Sequence, residues 1–121
     1  MAVKRILVVD DSPTERFFLT DLLRKNGYQV ITAEDGERGV ALAKSELPDL
    51  VLMDVVMPGL NGFQATRQLS RDPVTQKIPV IMCTTKDQET DRVWGMRQGA
   101  VEYVVKPVVA DELLGKIVAL G

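Results

Sequence analysis

The chain has 121 residues, which fits one domain and leaves no room for a second of ordinary size. It is 45% hydrophobic and 26% charged, with a formal net charge of −2, and this balance lacks the basic excess that nucleic acid or an anionic membrane surface attracts. The sequence has no histidine and only one cysteine, which excludes histidine-based catalysis, histidine-ligated metal sites and an internal disulfide bond.

The first predicted strand is the apolar run Arg5–Val9. Ser12, Pro13 and Glu15 follow it with the spacing of a capping box, in which Ser12 is the N-cap and Pro13 the first helical residue. We expect this first helix to end at Asn26-Gly27. Its buried apolar stripe is predicted to consist of Phe17, Phe18, Leu19, Leu22 and Leu23.

Four more strands and four more helices are predicted to alternate along the rest of the chain. The strands are Gln29–Ala33, Asp49–Met53, Pro79–Cys83 and Tyr103–Val105, and the helices run over about Gly36–Ser45, Gly62–Arg71, Gln88–Gln98 and Asp111–Leu120. Most of the strands are nearly continuous in apolar residues, which is typical of a sheet covered on both faces. The exception, Gln29–Ala33, is more polar and is predicted to be an edge strand.

Five alternations of strand and helix predict an α/β fold, a doubly wound, five-stranded parallel sheet with five helices on its two faces. In such sheets functional groups gather at the carboxyl ends of the strands. The polar residues that follow the predicted strands are Asp10, Asp11, Asp54, Thr84 and Lys106.

These polar residues point to phosphoryl chemistry. Three neighbouring carboxylates repel one another and require a cation or protons, and an acidic site made only of oxygen ligands suits Mg²⁺. Lys106 adds a positive charge and Thr84 a hydroxyl donor. Phosphoryl transfer depends mainly on positioning and charge neutralisation, and an aspartate can serve as the nucleophile.

Four segments at the strand ends resemble the signature segments of response-regulator receiver domains, in the same order and at the same spacing. They are Val8–Asp11, Leu52–Gly59, Cys83–Thr85 and Val105–Pro107. The resemblance covers residues 1–121 and implies a CheY-like, flavodoxin-like sheet of strand order 2-1-3-4-5, with no output domain. It further implies a cytoplasmic signalling protein rather than a metabolic enzyme, which takes a phosphoryl group from a CheA-like histidine kinase and acts on an unknown downstream protein. Neither nucleic acid nor a membrane is expected as a partner.

The resemblance also assigns roles within the acidic site. Asp54 is the expected phosphoacceptor, and Asp54 and Asp11 are expected to bind Mg²⁺ through their carboxylates. The backbone carbonyl of Val56 is a further expected ligand, and Asp10 is expected to act chiefly through water. Lys106 is expected to pair with Asp54 or its phosphoryl oxygens, next to a cis peptide bond to Pro107.

A switch is implied by the same resemblance. Thr84 is expected to move toward the phosphoryl group, and Tyr103 to turn inward into the space left behind. An aromatic residue beside an apolar strand also fits simple core or rim packing, so both interpretations of Tyr103 stay open. Val56 and Lys86, two residues after Asp54 and Thr84, are positions from which side chains can orient or block the water that hydrolyses an acyl phosphate.

Two further residues have alternative interpretations. Trp94 lies in the helix with the fewest apolar residues, which we predict to be the least stable helix, and it belongs either to the core or to a partner surface formed with the fifth strand and helix. Cys83 is predicted to be a buried small hydrophobic residue rather than a redox site.

Two stretches are similar to one subgroup of receivers, the stand-alone receivers of the type IV pilus twitching-motility pathway. They are Pro58–Leu69 and Thr84–Asp91. The subgroup implies a role as an adaptor or as a phosphate sink.

Three other classes of protein are alternatives to the receiver. A haloacid-dehalogenase-type phosphatase needs a second acid two residues after its nucleophile, and Ser12 stands at that distance from Asp10. A flavodoxin-like electron carrier is disfavoured because Asp10 and Asp11 would repel the FMN phosphate. A degenerate receiver, acting as a phosphorylation-independent binding module, would have lost an acid, the threonine or the lysine, and none is lost.

Overall fold

The computed structural model describes residues 2–121 as five strands alternating with five helices. In chain order these are β1 Arg5–Val9, α1 Pro13–Lys25, β2 Gln29–Ala33, α2 Gly36–Glu46, β3 Leu50–Met53, α3 Gly62–Arg71, β4 Val80–Thr84, α4 Glu89–Gln98, β5 Glu102–Val105 and α5 Ala110–Ala119. The predicted elements are confirmed, with ends that differ by at most one residue. Within residues 2–121, no helix combines the length and apolar character needed to cross a bilayer.

The five strands form one parallel sheet in the order β2-β1-β3-β4-β5, as predicted. The polar strand β2 is an edge strand, which confirms its interpretation. The register pairs Val9 of β1 with Met53 of β3, and Met53 with Met82 of β4. Because the strands are parallel and in this register, the residues that follow β1 and β3 lie side by side at one edge of the sheet.

Both faces of the sheet are buried, because alternate residues of each strand point to opposite sides. Ile6 and Val8 of β1 belong to an apolar cluster that includes Leu19 and Leu23 of α1. The intervening strand residues belong to a second cluster, whose members include Leu7, Val9, Val40, Ala43, Val51, Met53, Ala65 and Leu69. The continuous apolar runs in the sequence follow from this double coverage. Cys83 is a buried, unpaired thiol with its pKa raised by burial to about 12, which confirms it as part of the core.

Helix α1 departs from its predicted stripe. Leu19 and Leu23, four residues apart, are buried, whereas Phe17 is 75% exposed and Phe18 is 42% exposed. Each helical residue is rotated by about 100° from its predecessor, so Phe17 lies on the face opposite Leu19. The inclusion of Phe17 and Phe18 in the buried stripe was wrong because it counted apolar residues without respecting this rotation.

The predicted capping box of α1 is only half formed. The Ser12 hydroxyl accepts a hydrogen bond from the Glu15 N–H at 3.3 Å, as an N-cap should. The Ser12 N–H donates to Asp10 Oδ1 at 2.9 Å, in place of the expected bond to the Glu15 carboxylate. The start of α1 is therefore tied to the acid at the end of β1.

Helix α4 is held by few buried residues. Within it only Gly95 and Gln98 are buried, and Trp94 is 48% exposed. Of the two interpretations of Trp94, the structure excludes the core, and the partner surface stays a prediction.

Gly115, inside α5, offers a test of helix energetics. A Cβ built at this residue meets no atom within 4 Å, so nothing in the packing requires glycine. We predict that Gly115→Ala raises the free energy of unfolding by about 1 kcal/mol, because alanine restricts the unfolded chain more and favours the helix. Urea denaturation of the parent and the variant measures this difference. An unchanged or lower free energy of unfolding would contradict the prediction.

Candidate functional site

Three carboxylates meet at the carboxyl edge of the sheet. Asp10 follows β1 directly and Asp54 follows β3, and the Asp54 N–H donates to the Val9 carbonyl at 2.9 Å. One carboxylate oxygen each from Asp10, Asp11 and Asp54 lies within 4.8 Å of the others. The sheet register thus brings together acids that are far apart in the sequence.

The three acids differ in burial. Asp10 is 1% exposed and Asp54 is 7% exposed, whereas Asp11 is exposed to solvent. Burial raises the pKa of Asp54 above the usual aspartate value, and the neighbouring charge of Asp10 raises it further. The positive charge of Lys106, the Val55 N–H at 2.8 Å and the Thr84 hydroxyl oppose this rise. The ionised form of Asp54 is therefore less favourable in the folded protein than in water, because its favourable contacts only partly offset the cost of burial.

Lys106 supplies the positive charge at the centre of this group. Its Nζ lies 2.7 Å from Asp10 Oδ2, 3.7 Å from Asp54 Oδ2 and 3.9 Å from Glu15 Oε2. Burial on its own would lower the Lys106 pKa, but the hydrogen bond that Lys106 donates to Asp10 and the surrounding negative charges raise it above the usual value. The Lys106-Pro107 peptide bond is cis, as expected.

Asp10 is the nearest partner of Lys106, whereas Asp54 was the expected one. Asp10 is also fixed at both ends, since its Oδ1 accepts the Ser12 N–H and its backbone carbonyl accepts Arg16 Nη1 at 2.7 Å. Sequence reasoning missed Glu15 as a neighbour of Lys106. The signal was present in the capping-box spacing, which placed Glu15 in the first turn of α1, close to the end of β1.

Thr84 and Tyr103 both bind the backbone of one residue, Lys86. Thr84 is fully buried, and its Oγ1 accepts the Lys86 N–H at 3.3 Å. Tyr103 is 6% exposed, and its hydroxyl donates to the Lys86 carbonyl at 2.7 Å. Burial raises the pKa of the Tyr103 phenol to about 12. Lys86 therefore connects the hydroxyl beside the acids to an inward-turned aromatic ring.

The loop after Asp54 lines a small cleft together with Lys86. Its volume is about 220 Å³, and both Val56 and Lys86 line it. The Val56 side chain is 56% exposed. The two positions singled out for control of hydrolysis thus face the same small space.

The donor set fits a divalent cation of the magnesium kind. All of the clustered ligand atoms are carboxylate oxygens, which hard cations prefer. Lys106 offsets part of the negative charge of Asp10, Asp54 and Glu15, and Asp11 adds a further carboxylate. A cation bound among these oxygens would relieve the remaining repulsion.

Comparison with known proteins identifies the family. Residues 6–118 match the model of the response regulator receiver domain. The chain belongs to this family. The receiver is 65% identical to protein PilH of Pseudomonas aeruginosa over 96% of both chains.

Solved structures agree with this assignment. The receiver matches the chemotaxis protein CheY4 of Vibrio cholerae with a TM-score of 0.89 and 31% identity, over 96% of this chain and 97% of that one. It matches the receiver domain of the sensor histidine kinase PA1611 of Pseudomonas aeruginosa with a TM-score of 0.87 and 31% identity, over 96% of this chain and 95% of that one. That relative was solved with a magnesium ion coordinated in its active site cleft.

The predicted site residues of the receiver thus lie in three places: the carboxyl edge of the sheet, the loop after Asp54 and the space behind Lys86. Asp10, Asp11, Asp54 and Lys106 come together at the sheet edge, with Thr84 buried close by. Val56 lies in the loop that follows Asp54, and Tyr103 lies behind Lys86. Receivers and their relatives such as PilH are signalling proteins rather than metabolic enzymes.

The raised pKa of Asp54 predicts a stability cost. Below about pH 3.8, the usual aspartate value, the residue is protonated in the folded and unfolded states alike. As pH rises through the raised pKa, ionisation destabilises the folded state, because that state binds the proton more tightly. With a metal chelator present, we predict that Asp54→Asn raises the unfolding midpoint at neutral pH and that the gain disappears at the acidic end. Thermal unfolding of the parent and the variant at a series of pH values measures this difference in midpoint.

Asp49→Asn is the matched control with the opposite sign. The backbone N–H groups of Arg5 and Lys4, each 2.9 Å from Asp49 Oδ2, lower the pKa of Asp49. Its contribution to stability is present above the usual pKa and is lost as pH falls through the lowered one. The control should therefore lower the midpoint at neutral pH. A neutral-pH midpoint of Asp54→Asn at or below that of the parent would refute the predicted cost.

Proposed function

We propose that this protein is a stand-alone response regulator that accepts a phosphoryl group on Asp54 from a histidine kinase. The observation that carries the proposal is the group of three carboxylates whose oxygens lie within 4.8 Å of one another, with the Lys106 ammonium beside two of them. Similarity to PilH along 96% of both chains supports a receiver domain over residues 1–121.

The proposed reaction makes one bond and breaks one. A carboxylate oxygen of Asp54 attacks the phosphorus of the kinase phosphohistidine, an O–P bond forms and the P–N bond breaks. The electron pair of that P–N bond stays on the imidazole nitrogen, which takes up a proton. The Lys106 Nζ, 3.7 Å from Asp54 Oδ2, is close enough to follow the added phosphoryl oxygens and balance their charge.

Mg²⁺ is the proposed cofactor, and it would supply neutralisation of the phosphoryl charge when bound. Asp11 and Asp54 are the proposed carboxylate ligands, the Val56 carbonyl is a third, and Asp10 acts chiefly through water. The Ser12 N–H and Lys106 Nζ each occupy one oxygen of Asp10, which supports this indirect role. Bonds at both oxygens keep the Asp10 carboxylate oriented within the site.

Signalling is proposed to run through Thr84 and Tyr103. The Thr84 hydroxyl accepts the Lys86 N–H, and it retains its own proton to donate to a phosphoryl oxygen. A shift of Thr84 toward that oxygen changes its bond to Lys86, whose carbonyl holds the Tyr103 hydroxyl. Occupancy of Asp54 would therefore alter the position of Tyr103.

The proposed partner face lies on α4, β5 and α5. Trp94 is 48% exposed, Val105 is 41% exposed and Val101 is 38% exposed, and Val101 lines a cleft together with residues of α5. Exposed apolar residues that form a contiguous patch are typical of a protein-binding surface. The downstream protein that would bind this face is unknown.

The biological setting is proposed from the similarity to PilH and from the subgroup segments. A receiver of the twitching-motility kind would take its phosphoryl group from a CheA-like kinase in the cytoplasm and serve as an adaptor or phosphate sink. The second candidate function is a binding module that needs no phosphorylation, and the exposed apolar face of α4 and β5 favours it. Retention of every acid, the threonine and the lysine supports the phosphorylated form instead.

Asp54→Ala tests the acceptor. Incubation with Mg²⁺ and acetyl phosphate should add one phosphoryl group to the parent and none to the variant, because the variant lacks the attacking oxygen. Intact-protein mass spectrometry measures the added mass. Chelation of Mg²⁺ should abolish labelling of the parent as well.

Asp21→Ala is the matched control for that experiment. Asp21 is an exposed aspartate on α1 whose partner is Lys25 at 2.9 Å, so its loss should leave labelling unchanged. Equal labelling of the parent and Asp54→Ala would overturn the assignment of the acceptor. Labelling of neither would favour the binding module.

Val56→Asn tests control of hydrolysis. An apolar side chain beside Asp54 offers no hydrogen bond to the attacking water, so we predict that asparagine speeds loss of the phosphoryl group. The decay of the phosphorylated protein after removal of the donor gives the rate. Val74→Asn is the control, since Val74 is 58% exposed against 56% for Val56 and does not line the Asp54 cleft. A rate for Val56→Asn that is unchanged or slower would contradict the prediction.

A further inference from the structure

Gly95 lies where α4 approaches the sheet most closely. A Cβ built on this glycine would lie 2.7 Å from Met82 Sδ and 3.3 Å from both Cδ2 and Cε2 of the Tyr103 ring. Real Cβ atoms essentially never show contacts under 3.0 Å. Met82 is fully buried in β4, so its thioether has no solvent-side space into which to retreat.

The backbone gives no other reason for glycine at this position. In residues 2–121 the glycines with positive φ are Gly27, Gly59, Gly99 and Gly121, so Gly95 has a conformation open to any residue. Gly99 already provides the left-handed end of α4. A glycine inside a helix also weakens the helix relative to alanine. The close packing is therefore the physical role that the structure offers for this residue.

The ring beneath Gly95 is the inward-turned ring of Tyr103. It is 6% exposed and packs with Val55, Met82 and Ala100. Its hydroxyl donates to the Lys86 carbonyl at 2.7 Å, and the Lys86 N–H donates to Thr84 Oγ1 at 3.3 Å. A continuous chain of contacts thus runs from α4 through the ring to the residue beside the acids.

We propose that Gly95 is the positioning residue for Tyr103, because its missing side chain provides the space that the inward ring occupies. A methyl group there clashes mainly with Met82 Sδ and requires the Tyr103 ring itself to give by only a few tenths of an ångström. Because Met82 is fully buried and Tyr103 borders the surface, we expect the combined strain to move the ring toward solvent. Displacement of the ring breaks the hydrogen bond at the Lys86 carbonyl and loosens the Lys86 backbone, whose N–H binds Thr84 Oγ1. This last consequence rests on the function proposed above.

The position of the ring can be measured without any phosphoryl chemistry. The chain has two tyrosines, so the Tyr28→Phe protein grown with 3-fluorotyrosine gives fluorine NMR signal from Tyr103 alone. We expect a resonance shielded from a soluble gadolinium chelate in this background. Adding Gly95→Ala should replace it with a shifted resonance that the chelate broadens. Gly115→Ala, which places the same methyl group in open space on α5, should leave the resonance unchanged.

A double-mutant cycle keeps the test informative if Gly95→Ala folds poorly. With Tyr103→Leu the ring is absent and Met82 gains space, so Gly95→Ala should then raise the unfolding midpoint as Gly115→Ala does. With the ring present, Gly95→Ala should leave the unfolding midpoint unchanged or lower it. Equal effects of Gly95→Ala in both backgrounds, or a protected fluorine in Gly95→Ala, would overturn the proposal.

The link to the acids is a separate measurement. The rate of labelling by acetyl phosphate should fall about fivefold in Gly95→Ala, a factor at the low end of the energetic couplings found between distant sites. The same rate should stay unchanged in Gly115→Ala. A displaced ring with an unchanged labelling rate would overturn the link to Thr84 while leaving the positioning role intact. Absence of labelling in the parent would contradict the proposed function and not the role of Gly95.

Discussion

The ion pair between Lys106 and the acids at the sheet edge is the interaction on which the site depends. Asp10 and Asp54 lie almost buried beside each other, and only a nearby positive charge makes their joint ionisation tolerable. Asp11 and Glu15 add further negative charge, and the Lys106 ammonium offsets only part of the total. The site is thus built with an excess of negative charge, which a divalent cation can balance and which repels a phosphoryl group when that cation is missing.

Much of the fold could be predicted because β1, β3 and β4 are apolar on both faces and helices separate them. This pattern predicts a parallel sheet with helices on both faces, and the polar residues of β2 predict that it is an edge strand. The error came at Phe17 and Phe18, where residue type suggested burial and helix rotation decided against it. The spacing of Leu19 and Leu23, four residues apart, marks the buried face, and Phe17 and Phe18 are rotated away from it.

Less of the site could be predicted, because distances depend on side-chain choices that the sequence does not record. The order of strand ends predicted which residues would meet, but not that Lys106 would lie closer to Asp10 than to Asp54. Glu15 was placed in a capping box, and its reach to Lys106 depends on the Ser12 N–H being taken by Asp10. The close approach of Gly95 to Tyr103 is likewise invisible without the packing of α4 on β5.

The pairing of Val9 with Met53 has a consequence for how this protein tolerates changes in length. One residue inserted within β1 or β3 would carry Asp10 or Asp54 to the other side of the sheet, since side chains alternate along a strand. Segments at the opposite edge, such as residues 72–79 before β4, carry none of the acids and can lengthen without moving them. Insertions and deletions compatible with function should therefore collect at the edge of the sheet remote from the acids.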